Sequence, residues 1–166
     1  GLNMPNYRSS EKAFQLITQA VGRCGRQNKP GKAIIQTYMP DHYAITMAAR
    51  QNYEIFYRKE MSMRLEQNYP PYCYLASLSI SSKNEEKAIE EINKATLFLN
   101  EKFKDDGIIL GPVAPYIAFE KNSFVRTVLI KYRDVNKANA ILKEALSKFV
   151  NKSGINIYVN IDPYNF

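Results

Sequence analysis

The second half of the chain predicts an α+β domain of split βαβ type, an antiparallel sheet with two helices on one face. Three observations carry this. Period-two alternation sets Tyr74, Ala76, Leu78 and Ile80 against Leu75, Ser77 and Ser79, and later Ile155, Ile157, Val159 and Ile161 against Asn156, Tyr158 and Asn160. Helical spacing links Ile89, Ile92, Ala95, Thr96, Leu99 and Phe103, then Ala138, Ile141, Leu142, Ala145, Leu146 and Phe149, a second helix that Asp134 is placed to cap. Between these helices, residues 108–117 and 124–133 read as two strands joined by a polar turn at Lys121, Asn122 and Ser123. The order is strand, helix, strand, strand, helix, strand.

The first half reads differently. Ser9 or Ser10 is the expected N-cap of a helix from Glu11 to about Arg23, with Ala13, Ile17, Ala20 and Cys24 on its apolar side. A loop with Asn28, Pro30 and Gly31 follows, and residues 33–38 read as a buried strand. Pro40 and Asp41 open a helical region from His42 to Gln67 that breaks near Asn52. Tyr69-Pro70-Pro71-Tyr72 stops it, because two successive prolines force extended geometry. A boundary there sets residues 71–166 apart from residues 1–40 and the helical region 41–70.

Composition narrows the function classes. With 166 residues, 45% of them apolar, the chain has room for one ordinary domain or two small ones. No run approaches the ~18 apolar residues of a membrane span, and the first residues lack a signal-peptide pattern, so a cytoplasmic location is expected. Cys24 and Cys73 are too few for a zinc site or a disulfide framework. The net charge of +7 favours an anionic partner, and residues 1–70 carry +5 of it. His42, the sole histidine, has no evident acidic or cysteine partner and reads as a surface or capping residue.

One segment points to chemistry. Counting 100° per residue from Gln19, Arg23 falls at about +40° and Arg26 at about −20°, so an amide and two guanidinium groups share one side of a helix. Arginine's fixed fork of donors suits a polyphosphate better than a lysine does. Gly22 and Gly25 weaken the helix but admit close approach of a backbone or nucleotide. By spacing alone, a solvated or surface-paired helix face is the commoner outcome for such arginines.

Residues 14–26, Phe-Gln-Leu-Ile-Thr-Gln-Ala-Val-Gly-Arg-Cys-Gly-Arg, resemble the last conserved helicase motif of the PriA family, the primosomal protein N′ helicases of bacterial replication restart. The resemblance continues through Gly31, Ile34-Ile35-Gln36-Thr37, Pro40-Asp41-His42, Tyr69-Pro70-Pro71, Leu110-Gly111-Pro112 and Asp162-Pro163, essentially the whole chain. Cys24 stands where alanine is more usual in the family. The resemblance implies a superfamily-two DNA helicase that unwinds in the 3′ to 5′ direction at stalled forks, using ATP and Mg²⁺, with a zinc site outside these residues. It implies that residues 1–40 end a RecA-like second helicase lobe, that residues 41–70 form a helical connector, and that residues 71–166 form a DNA-contacting domain like a small-subunit ribosomal protein. Gln19, Arg23 and Arg26 are then the nucleotide-binding residues, with Arg26 as arginine finger and Arg23 coupling ATP to lobe closure. The 166 residues hold neither a G-x-x-x-x-G-K-[ST] phosphate loop nor an Asp-Glu pair suited to Mg²⁺, so they are not expected to hydrolyse ATP alone.

A DNA-binding surface is expected where cations mix with rings: Tyr116, Phe119, Lys121, Phe124, Arg126, Lys131, Tyr132 and Arg133. Lys121, Arg126, Lys131 and Arg133 are the candidate phosphate contacts to branched or single-stranded DNA. The bland alternative has the rings filling the core and the cations as ordinary surface. Likewise Tyr38, Tyr43, Tyr53, Tyr57, Tyr69, Tyr72 and Tyr74 either stack on bases or pack the connector. A second function class is a non-catalytic module docking single-strand-binding protein or other primosome partners. A third, a ribosomal-type RNA binder, fits only the second half.

Overall fold

The computed structural model describes residues 6–24, 31–115, 117–150 and 152–163. The chain divides into two compact units, residues 1–67 and 68–166.

The first unit is helical, with α1 (Ser9–Arg23), α2 (Tyr43–Ala49) and α3 (Tyr53–Glu66). Neither serine caps α1 as expected. The helix starts earlier because Asn6 turns the chain, its Oδ1 accepting from the Arg8 amide at 2.8 Å and its carbonyl from the Ser9 amide at 3.0 Å. The expected apolar side is also rotated. Phe14 is the buried anchor of α1, while Ala20 and Cys24 are exposed, because one ring covers more apolar surface than two small side chains. Phe14 stacks on Phe56 of α3 with centroids 4.1 Å apart, and Ala44 and Ala48 of α2 complete the core.

His42 caps α2, its Nδ1 accepting from the Ala44 amide at 3.2 Å, and Asn52 caps α3, its Oδ1 accepting from Ile55 at 3.1 Å. Burial lowers the His42 pKa below 6.5, keeping the ring neutral and able to accept. The strand expected at residues 33–38 is absent. These residues are irregular and Ile34 is exposed, since no other strand among the described residues of this unit supplies a ladder for them.

A buried ion network ties the three helices together. Glu60 of α3 is nearly inaccessible, accepting the Tyr43 hydroxyl proton at 2.5 Å and an Arg64 Nε bond at 2.9 Å. Arg64 also donates to Glu11 of α1 at 2.9 Å. Burial and the Glu60 bond push the Tyr43 phenol up to about 12.

The second unit holds β1 (Tyr74–Ser82), α4 (Glu85–Phe103), β2 (Gly107–Val113), β3 (Phe119–Glu120), β4 (Ser123–Tyr132), α5 (Val135–Phe149) and β5 (Asn156–Ile161). The sheet order is β2-β4-β1-β5 with β3 on β4, and every pairing is antiparallel. Both helices pack on one face, where Leu78, Ile80, Val128 and Ile130 meet Ile92, Leu99, Phe103, Leu142 and Phe149. Asn84 caps α4 and Asp134 caps α5, each accepting an amide bond at 3.0 Å.

Three details differ from expectation. The strand expected to reach residue 117 stops at Val113, where the register shifts beside Gly111 (φ +105°) and Pro112, an edge position that tolerates a missing donor. The short strand β3 closes a tight hairpin through Lys121 and Asn122, both at positive φ. Ser77 and Ser79, the polar alternates of the strand pattern, are buried, as is Ser81, since β1 is central and its small hydroxyls sink between the side chains of β4 and β5. Ser79 and Thr127 satisfy each other at 2.7 Å.

Glu91 of α4 is buried and holds the chain beyond α5 through Lys152 at 2.5 Å, with Lys94 at 3.1 Å. Burial alone would raise its carboxyl pKa, but the Lys152 and Lys94 bonds prevail and hold it below 4.5. A depressed carboxyl stabilises the fold above its unfolded value and loses that contribution as the pH falls through the folded one. Glu91→Gln is therefore expected to cost about 1 kcal/mol at pH 7. Denaturation curves of the two proteins should converge as the pH drops below 4.5, and a gap that persists through that window would refute the charge-based account.

Candidate nucleotide and nucleic-acid sites

Helix α1 packs through Phe14, leaving Gln19 and Arg23 exposed one turn apart. Among the described residues neither side chain makes a hydrogen bond or ion pair. Arg58, Arg64 and Arg126 differ, each held by a carboxylate of its own unit. Arg26 lies outside the described residues. Gly31 passes against the end of α1, where an added Cβ would stand 2.7 Å from the Cys24 backbone, so only glycine allows that approach. Gln19 lines a cavity of about 380 Å³ between α1 and α3, floored by Phe14, Tyr53 and Phe56, in which Thr18 Oγ1 is buried without a hydrogen-bond partner. Glu11 and Glu60 also line this cavity, both engaged by Arg64, while the amide of Gln19 and the guanidinium of Arg23 keep donors that suit the oxygens of a nucleotide's phosphates.

The second unit separates the four cations that the sequence groups together. Lys121 projects from the hairpin turn, almost fully exposed. Arg126 is engaged by Glu85 and by the Val125 carbonyl at 2.8 Å. Lys131 is buried on the opposite sheet face, its amine 3.7 Å from the centre of the Tyr69 ring, and burial lowers its pKa. Arg133, exposed, donates to Asn68 Oδ1 at 3.4 Å. The separation follows from strand parity: Arg126 pairs with Ile80 on the helix-covered face, whereas Lys131 pairs with Leu75 on the other. That signal was already present in the even and odd numbering. Tyr116 lies outside the described residues, Tyr132 is buried, and Phe119 meets Phe124 edge-on at 4.9 Å.

Lys131, Arg133 and Cys73 share a cavity of about 290 Å³ with Asp105, Asp106 and Asp134. Burial raises the Cys73 thiol pKa, which suppresses the thiolate. Among the described residues no group of three or more His, Cys, Asp or Glu is placed to hold a metal ion, and no helix is long and apolar enough to cross a membrane.

The model of the primosomal protein N C-terminal domain matches residues 66–164. The chain belongs to that family. Its similarity extends beyond the matched domain. The replication restart protein PriA of Bacillus subtilis (strain 168) is 41% identical over 98% of this chain and 21% of that protein. The PriA proteins of Chlamydia pneumoniae and Thermotoga maritima are 35% and 33% identical, over 98% and 96% of this chain and 22% and 20% of theirs. The chain thus spans about a fifth of the length of these family relatives.

Proposed function

We propose that the chain is the C-terminal part of a replication restart helicase that moves 3′ to 5′ on DNA at the expense of ATP. In this reading residues 1–40 complete a RecA-like lobe, residues 41–70 connect it, and residues 71–166 bind branched or single-stranded DNA. The carrying observation is the uncompensated Gln19 and Arg23 side of α1, in a chain similar along its length to replication restart proteins. When bound, Mg²⁺-ATP supplies the phosphoryl group to be transferred. Gln19 and Arg23 hold its oxygens by donated hydrogen bonds, and Arg26 steadies the charge that spreads over the terminal phosphoryl group as it is transferred. Zinc belongs to other parts of such a protein.

DNA contact rests on the exposed cations Lys121 and Arg133, since Arg126 and Lys131 are committed within the unit. Forked DNA is expected to bind the 166-residue chain with an affinity that falls steeply between about 50 and 200 mM salt, by about 0.9 log units per log unit of salt for each duplex phosphate contacted. The Lys121→Ala/Arg133→Ala double variant should flatten that slope by nearly two. A flat wild-type profile, together with strong capture of an apolar peptide tail of single-strand-binding protein, would favour the docking module instead.

A further inference from the structure

A third cavity, about 470 Å³, opens at the end of the sheet where the β1–α4 loop, the start of β4 and the start of β5 meet. Ser82, Lys83, Asn84, Lys87, Ser123 and Asn156 line it, and no carboxylate does. The other two cavities differ, one bearing Glu11 and Glu60, the other Asp105, Asp106 and Asp134. The neighbouring carboxylate of Glu85 is turned to Arg126. Lys83 makes no hydrogen bond or ion pair among the described residues. Lys87 donates to the Ser153 carbonyl, and the next residue, Gly154, turns the chain at φ +76°, a conformation that L side chains rarely adopt. The wall is rich in donors and positively charged, complementary to a ligand whose oxygens only accept.

Aromatic surface adjoins this seat. Ser82 pairs directly with Phe124, whose ring meets the half-exposed Phe119, and Lys121 lies two residues before Ser123. A phosphate seat beside an exposed ring matches a strand that carries both phosphates and bases, rather than a free anion.

We infer that this cavity is a phosphodiester subsite for a nucleic-acid strand, with Lys83 and Lys87 neutralising backbone phosphate, Ser123 and Asn156 donating to it, and Phe119 offering a face to an adjacent base. The inference rests on the reading of the second unit as a DNA binder and names where that unit grips the strand.

Fluorescence anisotropy of a labelled single-stranded oligonucleotide with the 166-residue chain, titrated over salt, tests it. For single strands each lost phosphate contact flattens the log–log slope by about 0.7, so Lys83→Gln should reduce it by about 0.7 and Lys83→Gln/Lys87→Gln by about 1.4. Over a fourfold rise in salt the double variant should therefore lose about sevenfold less affinity than the wild type. Phe119→Ala should weaken binding about tenfold at every salt concentration and leave the slope unchanged. Lys83→Gln removes no hydrogen bond or ion pair among the described residues, so its result stands even if the double variant is destabilised. Lys143→Gln, the same charge change on exposed α5, should leave the slope at the wild-type value. Wild-type slopes in both Lys83 variants, or an equal change in Lys143→Gln, would overturn the subsite while DNA binding by the unit stood. A wild-type chain that binds no oligonucleotide would overturn the DNA reading and the subsite with it.

Discussion

Arg26→Ala, placed in a full-length chain carrying this segment, is expected to lower DNA-dependent ATP hydrolysis by about a thousandfold while DNA affinity stays within about twofold. As the bond to the terminal phosphate loosens, negative charge spreads over its oxygens, and a guanidinium fork held ready in a water-poor cleft stabilises that charge without reorganising. Its benefit is larger in the transition state than in the ground state, so the loss falls on turnover rather than on nucleotide affinity. Arg23→Ala should lose less turnover and weaken nucleotide affinity as well, because a contact made before and during reaction contributes to both. Lysine at position 26 should restore little, since a point charge does not reproduce the two-donor fork. Hydrolysis within tenfold of the parent for Arg26→Ala would end the arginine-finger assignment. The exposed Arg23 on α1 makes the test meaningful, because it forms no ion pair among the described residues.

Glu60→Ala should destabilise the first unit by about 3–5 kcal/mol, the range for breaking a buried pair by removing one partner. Two donors lose their acceptor at once: the Tyr43 hydroxyl at 2.5 Å and Arg64 Nε at 2.9 Å. Arg64 keeps Glu11, but a largely buried guanidinium is left half compensated. The apolar core of this unit is small, built on Phe14, Ala44, Ala48 and Phe56, so the loss rivals what that core provides. Glu60→Gln keeps shape and one acceptor and should cost less than half as much. Replacing both members, Glu60→Leu with Arg64→Met, should recover much of the loss, because the desolvation of two charges disappears along with their attraction. Chemical denaturation with amide exchange read across α3 measures all three. A change below about 1 kcal/mol in Glu60→Ala would show that the network contributes little. The Tyr43 phenol, now titrating at about 12, should titrate lower in Glu60→Gln, which gives the same contact an independent spectroscopic reading.

Much of the second unit was legible because its signals are local. Alternation at Ala76–Ile80 and helical spacing from Ile92 to Phe103 each report a buried face, whereas Tyr74 and Ile89, the first residues of the two patterns, are exposed, and Asp134 announces its helix by chemistry that acts within one turn. Irregular positions were less visible. The end of β2 depends on a register shift at Gly111, and β3 exists only because a two-residue turn folds Phe119 back onto Phe124. In the first unit the stripe through Ala13, Ile17, Ala20 and Cys24 counted residues but not their sizes, and Phe14 outweighed them. The absent strand at residues 33–38 has apolar composition without a partner ladder, and composition does not supply hydrogen bonds.

By itself the sequence determined the element types of the second unit, the polar side of α1 shared by Gln19 and Arg23, and the family likeness written in short ordered motifs, because these depend on residues close in the chain. Tertiary structure alone decided which cations are available: it paired Arg126 with Glu85, buried Lys131 beneath Tyr69, left Lys83 without an ion pair among the described residues and Lys121 exposed with only Glu120 at 4.0 Å, and sealed Glu60 among three helices. A charge becomes a site or a brace according to which opposite charges and how much water surround it, and both are set by segments distant in sequence.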